Sequence, residues 1–168
     1  MITSVLILAP FVILLLLAAG WDLASYTIPN FISAALLLAF VLYAISAGYT
    51  VAAYGSHALA ALAALAAGFL LFAPGYIGGG DAKLLAAVAA WFGLHDLLQY
   101  VLLASVFGGA LTLALLAVRR WPLPQALAAH GWINRLHEPR GGIPYGVALS
   151  TAAIAILPHT ELLRAIAA

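Results

Sequence analysis

Between Leu23 and Gly80 no Asp, Glu, Lys or Arg interrupts the chain for fifty-eight residues. A hydrocarbon core of about 30 Å is crossed by about 20 helical residues, so this stretch is too long for one span. Its own punctuation divides it. Ile28-Pro29-Asn30 reads as a stop followed by a helix start with Asn30 as N-cap. The Gly, Tyr, Thr and Ser between Gly48 and Ser56 mark a second break, and Ala73-Pro74-Gly75 a third. The pattern predicts spans near 3–20, 31–48, 57–73, 80–94, 97–118 and 144–163. The apolar runs are continuous, without the alternation of a lipid-facing β-strand. The expected fold is all-α, a single domain over 1–168 with six transmembrane helices and no soluble domain.

Composition agrees. Of 168 residues, 67% are hydrophobic and 7% charged, with mean hydropathy +1.16. A soluble domain carries about 25% charged residues, so this chain cannot cover a surface in water. Six Lys and Arg and five Asp and Glu also exclude the basic stripe of a nucleic-acid binder. The absence of cysteine excludes a disulfide scaffold, a zinc–thiolate site and thiol catalysis. No Lys or Arg precedes the first apolar run, so span one is expected to be retained rather than cleaved as a signal.

The arginines orient the chain. Arg119, Arg120, Arg135 and Arg140 fall in the basic loop 119–143, which the positive-inside rule places in the cytoplasm. Both termini are then expected outside the cytoplasm. Within that loop Ala129, Trp132, Ile133 and Leu136 recur at helical spacing, opposite Asn134, Arg135, His137 and Glu138. The segment 121–140 suits either an interfacial helix or a solvated linker.

With this topology Asp22, ending span one, and Asp81, opening span four, share the cytoplasmic side. Asp96 is expected on the opposite side, Glu138 in the basic loop and Glu161 near the outer end. A helix cap is a plain use for Asp81, and a juxtamembrane polar residue is a plain use for Asp22. Yet a carboxylate at a helix C-terminus gains nothing from the macrodipole. An ionisable residue at membrane depth is also expensive. Two close carboxylates titrate as a unit. One can then act as general base on water while the other, protonated, polarises a carbonyl. Gly75, Gly78, Gly79 and Gly80 let backbone approach a substrate closely just before Asp81.

These residues, with Ile28-Pro29-Asn30, Gly78-Gly79-Gly80-Asp81-Ala82-Lys83-Leu84 and Gly142-Ile143-Pro144-Tyr145-Gly146, resemble the short type IV prepilin peptidases. The closest branch serves tight-adherence (Flp-type) pili, within the GxGD class of intramembrane aspartyl proteases. The resemblance covers nearly the whole chain. It implies that Asp22 and Asp81 form a catalytic dyad that cuts a prepilin leader after a glycine, at the cytoplasmic face of the bacterial inner membrane. It also implies a site shaped by Gly78, Gly80, Lys83, Pro29, Asn30, Pro144, Tyr145 and Gly146, with no metal and no cofactor. Longer relatives add a cytosolic segment, often with cysteines, and methylate the new N-terminus. This chain starts at span one without cysteine, so methyl transfer is not expected. The family usually has arginines before the I-P-N turn, whereas 23–27 is uncharged here, which removes an anchor from that loop. The Pro-Ala-Leu motif of the presenilin-like branch is absent.

Individual residues have further expected places. Lys83 lies two positions from Asp81, about 200° around the helix, and is assigned to headgroups or substrate rather than to Asp81. Pro144 suits the first turn of span six. His130 and His137 lack a third ligand and are read as solvated. The face Ala60-Ala64-Gly68 is expected to receive the substrate's apolar helix. Expected partners are the prepilin and the lipid bilayer, no nucleic acid, and a second copy of the chain as a candidate homodimer. Two rival functions are a proton-coupled membrane carrier and an inactive structural factor of a pilus or secretion assembly.

Overall fold

The computed structural model describes residues 2–139 and 141–167. Arg140, one of the four arginines used to orient the chain, lies outside the described residues. Among these, every regular element is helical: α1 (Ile2–Ser25), α2 (Asn30–Ser46), α3 (Val51–Phe72), α4 (Gly79–Val118), α5 (Gln125–Ala128), α6 (Gly131–His137), α7 (Tyr145–Ile156), a 3-10 turn (Leu157–His159) and α8 (Glu161–Ala167). Among the described residues three segments are long and apolar enough to cross a membrane: Leu8–Ser25, Val51–Phe72 and Gly79–Val118. Asn30–Ser46 and Tyr145–His159 are apolar but shorter.

The forty residues of α4 are not one rod. A straight helix of that length would extend about 60 Å. Instead Asp81 and Leu85 share a cavity wall with Gly109 and Thr112, and Phe92 packs edge-on against Tyr100 at 5.3 Å. The chain doubles back at Gly93, whose φ of 65° and ψ of −177° are not helical. Only glycine serves there. A Cβ would sit 3.1–3.3 Å from the His57 ring, and the positive φ disfavours any side chain. The two halves, before and after Gly93, coincide with the apolar runs 80–94 and 97–118 of the sequence.

The first half of α4 is the centre of the molecule. Every residue from Leu84 to Gly93 is buried, as fits a helix that is apolar all round. Trp91 anchors it, stacked on Tyr43 at 5.8 Å and against Phe11 at 4.7 Å, with Nε1 donating to the Leu36 carbonyl at 3.0 Å. The buried residues of α3 are Ala60, Ala64 and Gly68. A Cβ on Gly68 would lie 2.9 Å from Ala82 Cβ, so this small-residue face is occupied by α4. That corrects its expected use for substrate: close packing between helices without side-chain bulk already consumes it. Leu62, Leu65 and Leu70 on α3 face outward instead.

Element ends differ from the sequence pattern where a local bond intervenes. Helix α3 begins at Val51, six residues early, because Thr50 Oγ1 accepts the Ala53 N–H at 3.2 Å. Pro29, not Asn30, occupies the N-cap of α2, and Asn30 is its first helical residue. Pro144 is likewise the residue before α7 rather than in its first turn. The expected span 144–163 is interrupted: α7 stops at Ile156, and Pro158, which lacks an N–H, sits in the 3-10 turn before α8. Of the expected segment 121–140, the described residues 121–139 form no single helix. They form the short α5 and α6, separated at Ala129 and His130, with no buried residue in either.

Candidate active site

Asp22 lies in the last turn of α1 and Asp81 in the first turn of α4. Both are buried, at 4% and 7% exposure, and both line one cavity of about 250 Å³. The rest of its wall comes from Tyr26, Thr27, Ile28 and the three glycines before Asp81. A single side chain ties the motifs together. A Cβ on Gly80 would lie 3.0 Å from Ile28 Cβ and 3.2 Å from its backbone nitrogen. One on Gly146 would lie 2.7 Å from Ile28 Cδ1 and 2.9 Å from Asp22 Oδ2. Ile28 is therefore wedged between the glycines that start α4 and α7, and both must lack a side chain.

Backbone amides hold the two carboxyl groups. The Gly146 N–H donates to Asp22 Oδ2 at 2.7 Å. The Gly78 N–H donates to Asp81 Oδ2 at 2.9 Å, closing the helix start. Asp81 Oδ1 is buried with no hydrogen-bond partner. The described Lys and Arg side chains form no ion pair with either acid. A buried polar atom without a partner is costly in a folded protein, and here it belongs to a cavity wall rather than to the packed core.

The chain leaves α1 through Tyr26, a non-glycine residue with φ of 55°, which turns Thr27 and Ile28 toward the cavity. Its hydroxyl donates to the Arg135 carbonyl at 3.4 Å, and the Arg135 guanidinium in turn donates to the Ala24 carbonyl. Arg119 uses three nitrogens on the end of α6 and the loop after it: Nε to Leu136 O at 2.8 Å, Nη1 to Gly141 O at 2.9 Å and Nη2 to Gly142 O at 2.8 Å. That loop leads directly into Pro144-Tyr145-Gly146.

The remaining expected residues divide. Gly78, Gly80 and Gly146 touch the acids or their wall. Pro144 is fully buried at the head of α7, and the Tyr145 ring packs against Gly108. Pro29 and Asn30 open α2 just beyond Ile28. Lys83 is exposed, and its Nζ donates to Asn30 Oδ1 at 2.8 Å, joining α4 to α2. Sequence reasoning missed Arg119 as more than a topology marker, and missed Tyr26 and Ile28. Ile28 was in view as part of the turn motif, but its contact with two distant glycines has no sequence signature.

Asp96 is a third buried acid, at 3% exposure, outside this cavity. Both its oxygens are occupied: Oδ2 accepts the Glu161 N–H at 2.9 Å and Oδ1 lies 2.9 Å from His95 Nδ1. Among the described residues, no three His, Cys, Asp or Glu side chains converge as metal ligands.

A second, larger cavity of about 500 Å³ starts from the same acid. Asp81 is common to both cavities, and the larger continues along the second half of α4, past Ser105, Gly109 and Thr112, with Tyr145 and Leu149 opposite. Two buried carboxyls on one small cavity, one with a free oxygen, can hold a water and a carbonyl between them and exchange a proton.

The model of a family described as the type IV leader peptidase family matches residues 9–113, which include both acids. No curated protein and no solved structure matches the chain.

Proposed function

The chain belongs to the type IV leader peptidase family, and from that premise we propose that it is an aspartyl endopeptidase that removes the leader of Flp-type prepilins. The observation that carries the reading is the meeting of Asp22 and Asp81 at one cavity, with Asp81 Oδ1 unpartnered. One carboxylate takes a proton from water as the water oxygen attacks the scissile carbonyl carbon. The other, protonated, hydrogen-bonds the carbonyl oxygen as it gains charge. Collapse of the tetrahedral intermediate breaks the C–N bond and returns a proton to the leaving amine. The family's glycine before the cut fits the setting, because the cavity wall is itself built of close glycine backbone. In the proposed arrangement the protein crosses the bacterial inner membrane six times, with both acids near the cytoplasmic face and the termini outside.

Co-expression with a candidate prepilin tests this, with mass spectrometry of the mature N-terminus. The expected product begins directly after the leader glycine. An intact precursor, or a cut elsewhere, overturns the reading, and proton flux in liposomes without cleavage would replace it with the carrier.

A further inference from the structure

We propose that the larger cavity is a furrow that seats one ridge of side chains from the substrate's apolar helix, with Gly109 as the part of its floor that limits their bulk. This deepens the leader-peptidase reading and rests on it. The walls on the second half of α4 run from Val101 to Leu113, about 18 Å at 1.5 Å per residue. A row of side chains fits along a groove of that length, as ridges fit grooves between helices.

The chemistry of the walls matches a helical guest. Thr112 Oγ1 donates to the Gly108 carbonyl at 2.7 Å and Ser105 Oγ to the Val101 carbonyl at 2.8 Å. Both hydroxyl protons are used internally, so neither Thr112 nor Ser105 offers a guest a free donor. A helix needs none, since its own backbone groups are paired. The exception is a helix N-terminus, where the first N–H groups have no partner inside the helix. At the furrow's Asp81 end stands Asp81 Oδ1, among the described residues the one buried acid oxygen that lacks a donor. A peptide whose cut bond directly precedes an apolar helix satisfies both conditions. A lipid acyl chain satisfies only the first.

Gly109 and Gly108 behave differently. A Cβ on Gly108 would meet the Tyr145 ring at 3.4 Å, whereas one on Gly109 meets nothing within 4 Å. A side chain on Gly109 therefore enters the furrow without displacing the protein. Gly55 in α3 is equally open but does not line the furrow.

The experiment measures cleavage by full-length protein in detergent, using an entire prepilin and a soluble peptide that spans only the junction. Gly109→Ala, Gly109→Val and Gly109→Leu form a graded series, with Gly55→Leu as control. The expected result is a KM for entire prepilin that rises with side-chain size, about tenfold or more for Gly109→Leu. The junction peptide is cut as by wild type, and Gly55→Leu is silent. Replacing bulky residues with Ala in the prepilin's apolar helix should recover the loss. An unchanged KM across the series overturns the furrow, leaving it a lipid-facing groove. Equal loss on both substrates also overturns it, because the variant then acts on the acids. If wild type cuts neither substrate, the leader-peptidase reading itself falls.

Discussion

Gly146→Ala is the sharpest test of how the acids are held. The new Cβ would lie 2.7 Å from Ile28 Cδ1, 2.9 Å from Asp22 Oδ2 and 3.1 Å from Asp22 Cβ. The first contact is with the tip of a flexible side chain, which can rotate away. The other two are with the acid itself, about 0.5 Å inside ordinary contact at 3.4 Å for the oxygen. Asp22 has little freedom, since its Oδ2 is fixed at 2.7 Å by the same residue's N–H. Overpacking costs about 1–3 kcal/mol in folding stability. A displacement of about 1 Å at a reacting group costs about 10²-fold in rate, and half that distance about tenfold. The variant should therefore accumulate in membranes, melt somewhat earlier in detergent, and cleave prepilin about tenfold more slowly. Adding Ile28→Val, which removes Cδ1, should recover part of the stability and little of the rate. Wild-type cleavage by Gly146→Ala, or full recovery of rate by Ile28→Val, would refute the claim that the Asp22 contact dominates.

Gly80→Ala sets two effects against each other. Alanine favours the helix by about 1 kcal/mol, but its Cβ meets Ile28 backbone atoms at 3.2 and 3.3 Å. A net loss of up to about 2 kcal/mol is expected from the clash, read as a lower Tm, whereas Gly55→Ala at an open helical site should raise it. Arg119→Ala removes three hydrogen bonds from the end of α6 and the loop after it. Limited proteolysis should then cut within 121–143 faster, with Arg119→Lys intermediate because an ammonium cannot reproduce the planar fork. Asp96→Ala frees the Glu161 N–H and should cost about 1 kcal/mol, seen in the melt, with prepilin cleavage unchanged. Loss of cleavage there would mean that the third buried acid belongs to the chemistry.

The sequence made the acids legible because charge is so scarce. With five Asp and Glu in 168 residues, alternation of apolar runs leaves Asp22 and Asp81 on one side, and they do reach one cavity. The helical class was equally open to reading. The hairpin within α4 was visible only as two runs around Gly93. The His57 ring that packs against that glycine comes from thirty-six positions away. The Ala60-Ala64-Gly68 face misled for a physical reason: small residues invite any helix, and α4 of the same chain arrives first. Lys83 and Asn30 were each read alone, although their bond unites them. Arg119 carried a topology signal that concealed its second use, since bonds to backbone carbonyls leave no mark on the partner's sequence.

The central claim is that Asp22 and Asp81 together perform the cleavage. Its most direct measurement is the rate at which purified Asp22→Asn and Asp81→Asn variants process an entire prepilin. Asn preserves volume and can still accept the Gly146 and Gly78 N–H bonds, so fold and melting should hold. Removal of a general acid or base costs about 10²–10⁴-fold, and each variant should lose at least that much, with the double variant losing little more. Processing at the wild-type rate by either single variant, at equal protein level, would contradict the account.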